Sequence, residues 1–133
     1  MPLDERIAAF LTASVDALPP ASLAEMRTAT ETGLRLLQGE AAPSGGVRDY
    51  TVVAADGHRI ALRAYLPAGE RRAAAQPAML FAHGGGWCLG SLSLYDQPCQ
   101  ALATATGRVI LSVDYRLAPE YPFPQPLEDV YQA

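Results

Sequence analysis

The sequence contains no lysine and no asparagine, and all ten of its basic residues are arginine. Without lysine the chain holds no Walker-type phosphate loop, no Schiff-base lysine and no Ser-Lys dyad. Two cysteines (Cys88 and Cys99) and two histidines (His58 and His83) are too few to fill a four-ligand zinc site without carboxylates, so no metal or other cofactor is expected. Ten arginines against fourteen Asp and Glu leave a net charge of −4. That balance argues against nucleic acid, whose partners carry a basic stripe to neutralise phosphate. No apolar run approaches the roughly 18 residues of a membrane-spanning helix. Asp4 and Glu5, with no basic segment ahead of an apolar stretch, argue against a secretory leader. A cytoplasmic location and two free thiols are therefore expected.

What is present is a chain of 133 residues, half of them apolar, within the roughly 100–200 residues usual for one domain. Its first forty residues read as two helices. Leu3, Ile7, Phe10, Leu11, Val15 and Leu18 recur at helical spacing, and Pro19-Pro20 stops the run. Ser22 stands three residues before Glu25 as a capping box, Leu23, Met26, Thr30, Leu34 and Leu37 form an apolar side, and Gly39 is a stop. Two readings of the pair stay open: ordinary core packing, or a lid over a ligand pocket.

After a linker at Ala41 to Gly46 the period changes to two. Residues 47–66 read as an antiparallel hairpin turning at Asp56-Gly57. Ile60, Leu62, Ala64 and Leu66 share one face; Arg59, Ala61, Arg63 and Tyr65 share the other, wetter one. Glu70 to Gln76 is a charged, Ala-rich loop. Pro77 to Ala82 and Arg108 to Asp114 are unalternating apolar runs, as expected of strands covered on both faces. Between them, Asp96 reads as the N-cap of a helix over 97–106, with Gly107 just past its end. Strand, helix and strand in this order make a βαβ unit with a parallel pair. Four prolines fall within 118–126, and another helix begins at Leu127.

The chemistry-bearing stretch is His83-Gly84-Gly85-Gly86-Trp87, directly after the first of these buried strands. Successive glycines serve where the backbone takes positive φ or approaches a ligand, and the free N–H groups of such a turn can converge on an anion. Neither Gly-x-Gly-x-x-Gly nor Gly-x-x-x-x-Gly-Lys-Ser/Thr occurs, which leaves an oxyanion hole or a merely flexible loop.

The segment His83 to Ser91 with Tyr95-Asp96, followed by Asp114-Tyr115-Arg116-Leu117-Ala118-Pro119-Glu120 and Pro122-Phe123-Pro124, resembles the hormone-sensitive-lipase-like carboxylesterases of the α/β-hydrolase class. The resemblance implies the N-terminal part of an α/β-hydrolase fold. Residues 1–40 would be cap helices, and residues 47–133 would be the first half of the core, ending before the nucleophile elbow. The strands would lie in the order first, second, fourth, third. Gly85 and Gly86 would donate their N–H groups to the oxyanion of an ester under attack, and Trp87 would line the acyl or alcohol pocket, although a buried core tryptophan is an equal reading. His83 and Gly84 would brace the loop. Asp114, Arg116 and Glu120 would form a charge cluster fastening the proline-rich loop.

Among α/β-hydrolases the triad runs Ser, then Asp or Glu, then His along the chain, with the serine on Gly-x-Ser-x-Gly after a later strand. No Gly-x-Ser-x-Gly occurs in these residues, and both histidines come too early. The nucleophile is therefore expected roughly 20–30 residues beyond Ala133, which makes the chain a truncated portion, inactive alone. It would need a complementary C-terminal segment or second chain, since its third strand would otherwise be an apolar edge. The expected activity is hydrolysis of short- to medium-chain acyl esters. The rivals are a ligand-binding protein on the same fold and an inactive fragment. A homo-oligomer is left open. The Ala- and Arg-rich composition suits a GC-rich bacterial source.

Overall fold

The computed structural model describes residues 3–15, 22–39, 45–69 and 77–133. The Pro19-Pro20 stop, linker residues 41–44 and the loop over 70–76 lie outside them. Two helices, α1 (Glu5–Val15) and α2 (Leu23–Leu37), precede strands β1 (Val47–Val53), β2 (Arg59–Tyr65) and β3 (Met79–Ala82). A single 3-10 turn at Ser93–Tyr95 leads into α3 (Asp96–Thr106), β4 (Ile110–Asp114) and α4 (Gln125–Gln132). Among the described residues no helix is long and apolar enough to cross a membrane.

The four strands form one mixed sheet in the order β1-β2-β4-β3. β1 and β2 pair antiparallel, with Tyr50 opposite Leu62, around a turn closed by Ala54 N–H to His58 O at 2.8 Å and His58 N–H to Asp56 Oδ1 at 2.9 Å. β4 runs antiparallel to β2 and parallel to β3, so the βαβ unit closes as its pattern implies. The expected fold class holds: part of an α/β-hydrolase sheet, with an antiparallel hairpin joined to a parallel pair and with helices ahead of it.

Strand alternation sends side chains to two cores. Ala54, Ile60, Leu62, Val113 and Tyr115 pack on one face beneath Val130 of α4. On the other, Tyr65, Cys99, Ala103 and Ile110 pack with Phe81 and Leu102, so α3 covers this side. Tyr65 is fully buried, a departure from the wetter face read from the pattern. Its ring fills the space between β2 and α3, and its hydroxyl donates to Asp96 Oδ1 at 2.6 Å. Asp96 in turn is the first residue of α3 rather than its N-cap. Arg63 Nη1, 3.0 Å away, and Tyr65 take the carboxylate that would otherwise cap the helix.

One further expectation is corrected. β3 is not covered on both faces: Met79 and Leu80 are 38 % and 47 % exposed, because β3 is the edge of this sheet. The second helix is capped by Ser22 Oγ, which accepts from Glu25 N–H at 3.2 Å, yet α2 buries no side chain. Leu34, Leu36 and Leu37 are exposed, as are Ile7, Phe10 and Leu11 of α1. An adjacent polar row holds α2 to the segment around the 3-10 turn: Glu31 accepts from Ser91 Oγ, Arg35 donates to Ser93 Oγ, and Gln38 Nε2 donates to Leu94 O, at 2.6, 2.7 and 2.6 Å.

Candidate active site

β3 ends at Ala82, and the chain turns at once into the glycine-rich loop. His83 is buried, its ring stacked on Tyr115 at 4.3 Å between centroids and on Tyr95 at 5.4 Å. The Tyr115 hydroxyl donates to His83 O at 2.6 Å and lies 3.1 Å from Nδ1, which is also 3.0 Å from Gly84 O. Gly84 O can only accept, and the phenol proton is committed to His83 O. The network therefore assigns the ring proton to Nδ1. Nε2 is then a bare lone pair, buried and without a hydrogen-bond partner among the described residues. Burial also pushes the Tyr115 phenol up to about 12, so it stays a donor at neutral pH.

Beyond His83 the backbone enters positive φ at Gly85 (135°), Gly86 (58°) and Trp87 (64°). Gly85 O accepts from Cys88 N–H at 3.1 Å and Leu89 N–H at 3.0 Å, so the loop closes on itself. Only glycine fits there, because a Cβ on residue 85 would overlap Leu89 O and lie 2.6 Å from Leu89 C. Trp87 O accepts from Ala118 N–H at 2.8 Å, which pins the far end to the proline-rich segment. Between the two anchors, the N–H groups of Gly85 and Gly86 have no hydrogen-bond partner among the described residues. Trp87 is 47 % exposed and edge-on to Tyr115 at 5.3 Å, so it is not a buried core tryptophan.

Asp114, Arg116 and Glu120 do not make one cluster. Arg116 donates from Nε and Nη2 to the two carboxylate oxygens of Asp129, at 2.9 and 2.7 Å, and from Nη1 to Asp56 at 2.8 Å. Glu120 is carried by the intervening prolines to Arg27 of α2, with 2.7 and 2.8 Å contacts. The Asp114 side chain has no ion pair or hydrogen bond among the described residues. Asp129 is fully buried. Burial alone would push its carboxyl up, but hydrogen bonds from the Arg116 side chain and backbone hold it below the usual range. Asp56 is lowered by the His58 N–H and by Arg116. Arg27 holds Glu120 down to about 2. Cys88 and Cys99 are both free thiols, and burial raises Cys99 to about 11.

Arg27 and Asp129 carried no signal in the sequence beyond being charged. The alternation Arg27, Glu31, Arg35 at every fourth position does mark a polar helix face. Nothing local foretells that Asp129 turns inward.

Residues 79–133 match the family described as alpha/beta hydrolase fold. By this match and by its sheet order, the chain carries part of an α/β-hydrolase fold. This α/β-hydrolase chain is 36% identical to ethyl acetate hydrolase of Pseudomonas putida over 109 residues, taking in 82% of this chain and 34% of that protein. It is 40% identical over 89 residues to lipase 2 of Moraxella sp. (strain TA144), covering 65% of this chain and 21% of that one. Among solved structures, the Pyrobaculum calidifontis esterase superposes with a TM-score of 0.83 at 36% identity, over 98% of this chain and 41% of that chain. The chain thus spans between a fifth and about two-fifths of the length of these relatives.

Proposed function

We propose that this α/β-hydrolase chain supplies the oxyanion hole of a serine carboxylesterase acting on short- to medium-chain acyl esters. Gly85 and Gly86 are the donors. When a serine attacks the ester carbonyl, negative charge grows on the carbonyl oxygen, and fixed N–H groups favour that state over the bound substrate. A histidine takes the serine proton, held in its tautomer by a carboxylate, and returns it to the leaving alcohol; water then releases the acid.

The observation that carries this reading is the pair of unpartnered N–H groups in a loop braced at both ends. His83 and Gly84 act as that brace, and the buried Nε2 makes His83 unsuited to general-base work. Trp87, half exposed beside the loop, lines the acyl or alcohol pocket. None of the six serines stands in Gly-x-Ser-x-Gly. The nucleophile, acid and histidine are therefore assigned to polypeptide outside residues 1–133, continuous with them or supplied as a second chain. The exposed edge of β3 offers that polypeptide a strand to pair with.

The test is to read the coding sequence after Ala133 and to assay p-nitrophenyl butyrate with residues 1–133 alone and joined to that segment. A Gly-x-Ser-x-Gly roughly 20–30 residues on, a later histidine, and turnover only by the joined polypeptide are expected. A downstream segment lacking the serine or the late histidine would favour a ligand-binding protein on this fold. Turnover by residues 1–133 alone would overturn the assignment of the triad.

A further inference from the structure

Arg27 of α2 makes four hydrogen bonds that no local pattern requires. Its Nε donates to Cys88 O at 2.9 Å, and Nη2 to Ala118 O at 2.9 Å. Nη1 and Nη2 also reach the two carboxylate oxygens of Glu120, at 2.7 and 2.8 Å. Cys88 directly follows Trp87 in the glycine-rich loop. Ala118 donates its own N–H to Trp87 O at 2.8 Å. One guanidinium thus ties three separate pieces of chain together: the cap helix, the exit of the glycine-rich loop and the proline-rich segment.

We infer that Arg27 is a positioning residue for the proposed ester hydrolysis, fixing the exit of the loop that bears Gly85 and Gly86 through the carbonyls of Cys88 and Ala118. The inference rests on the oxyanion reading of that loop. Three consecutive positive φ values end on Trp87, a bulky residue for which that conformation is unfavourable. Such a backbone persists only if its surroundings over-determine it. On the entry side the His83-Tyr115 stack does so. On the exit side the successive carbonyls of Trp87 and Cys88 are taken by Ala118 and Arg27. Because α2 buries no side chain of its own, Arg27 and the polar row after it set where the helix sits. Lysine cannot replace this fork, since one ammonium cannot span two carbonyls and a carboxylate in fixed planar geometry.

The test uses the polypeptide joined to its downstream segment, with p-nitrophenyl butyrate as the probe. Arg27→Ala and Arg27→Lys are expected to lower kcat at least about tenfold, up to the roughly hundredfold that a misplacement of about 1 Å can cost. KM should stay within about twofold. Millimolar guanidinium should restore part of the kcat of Arg27→Ala, a rescue that general destabilisation would not show. Glu120→Gln keeps both carbonyl contacts and is expected to lose less than about threefold. If Arg27→Ala does not fold, Arg27→Lys carries the same comparison. Hydrogen exchange at the amides of Cys88 and Leu89, both bonded to Gly85 O, is followed in parallel and should speed up in both Arg27 variants. Unchanged kcat in the Arg27 variants, or an equal loss in Glu120→Gln, would overturn the inference while an active parent keeps the esterase reading. An inactive parent would instead overturn the esterase reading, and unchanged exchange at Cys88 and Leu89 would then overturn the role of Arg27 independently.

Discussion

Gly85 and Gly86 are neighbours in one loop, yet the structure gives them different tolerance for a single methyl group. An alanine at 85 would stand at φ 135°, a conformation side chains rarely adopt, with its Cβ overlapping Leu89 O and 3.0 Å from Leu89 Cβ. Relief requires opening the turn and giving up the hydrogen bonds from Cys88 and Leu89 to Gly85 O. Two hydrogen bonds at about 0.5–1.5 kcal/mol each and a strained backbone at about 1–3 kcal/mol bring the cost to between about 2 and 6 kcal/mol. A loop that shifts to avoid that cost moves a donor, and losing one donor lowers turnover by about 10²–10³. Alanine at 86 meets nothing within 4 Å at φ 58° and keeps its N–H. Its cost is the left-handed penalty of about 1–2 kcal/mol, so turnover should fall by less than about tenfold. The assay is kcat and KM for p-nitrophenyl butyrate in the joined polypeptide, with a thermal melt of each variant. Equal losses in Gly85→Ala and Gly86→Ala, or a rise in KM alone for Gly85→Ala, would refute the reasoning.

Other consequences follow from the charged residues and from His83. Replacing Arg116 by Ala strands the fully buried Asp129 carboxylate and should cost about 3–5 kcal/mol in a denaturant melt; an unchanged midpoint would show the pair to be dispensable. The carboxyls of Glu120, Asp129 and Asp56 all sit below their usual range. Their stabilisation is therefore complete above the unfolded values of about 4 to 4.5 and lost as pH falls, for Glu120 down through about 2. Stability measured against pH should be flat from about 7 to 5 and drop below about 4.5, whereas a decline already beginning above pH 5 would point to other groups. His83→Gln should lower turnover less than the roughly 10²–10⁴ that removal of a general base costs, and should leave the pH–rate inflection in place. A lost inflection would make His83 the base after all.

Local rules carried the sequence reading wherever a neighbour in the chain decides the outcome. The Asp56-Gly57 turn, the Ser22 cap, the helix ending at Gly107 and the βαβ order are of that kind. They fail where a distant partner competes. Asp96 has the form of a helix cap but is claimed by Arg63 and Tyr65 from β2. Tyr65 has the parity of a wet face but is buried under α3. The apolar side of α2 left core packing and a lid both open, and the residues that dock the helix are the polar Arg27, Glu31, Arg35 and Gln38. The glycine loop was legible as a candidate site because its composition is itself the constraint. Its anchors were not, since Tyr115, Ala118 and Arg27 reach it only through the tertiary fold.

On the proposed function, residues 1–133 supply oxyanion donors and no nucleophile. A fluorophosphonate probe, which bonds covalently to an activated serine, tests this directly when the labelled residue is located by mass spectrometry in the joined polypeptide. The predicted result is one adduct on a serine beyond residue 133, weakened by Gly85→Ala, and none on residues 1–133 expressed alone. An adduct on Ser91 or Ser93, or ester hydrolysis with no serine labelled at all, would contradict it.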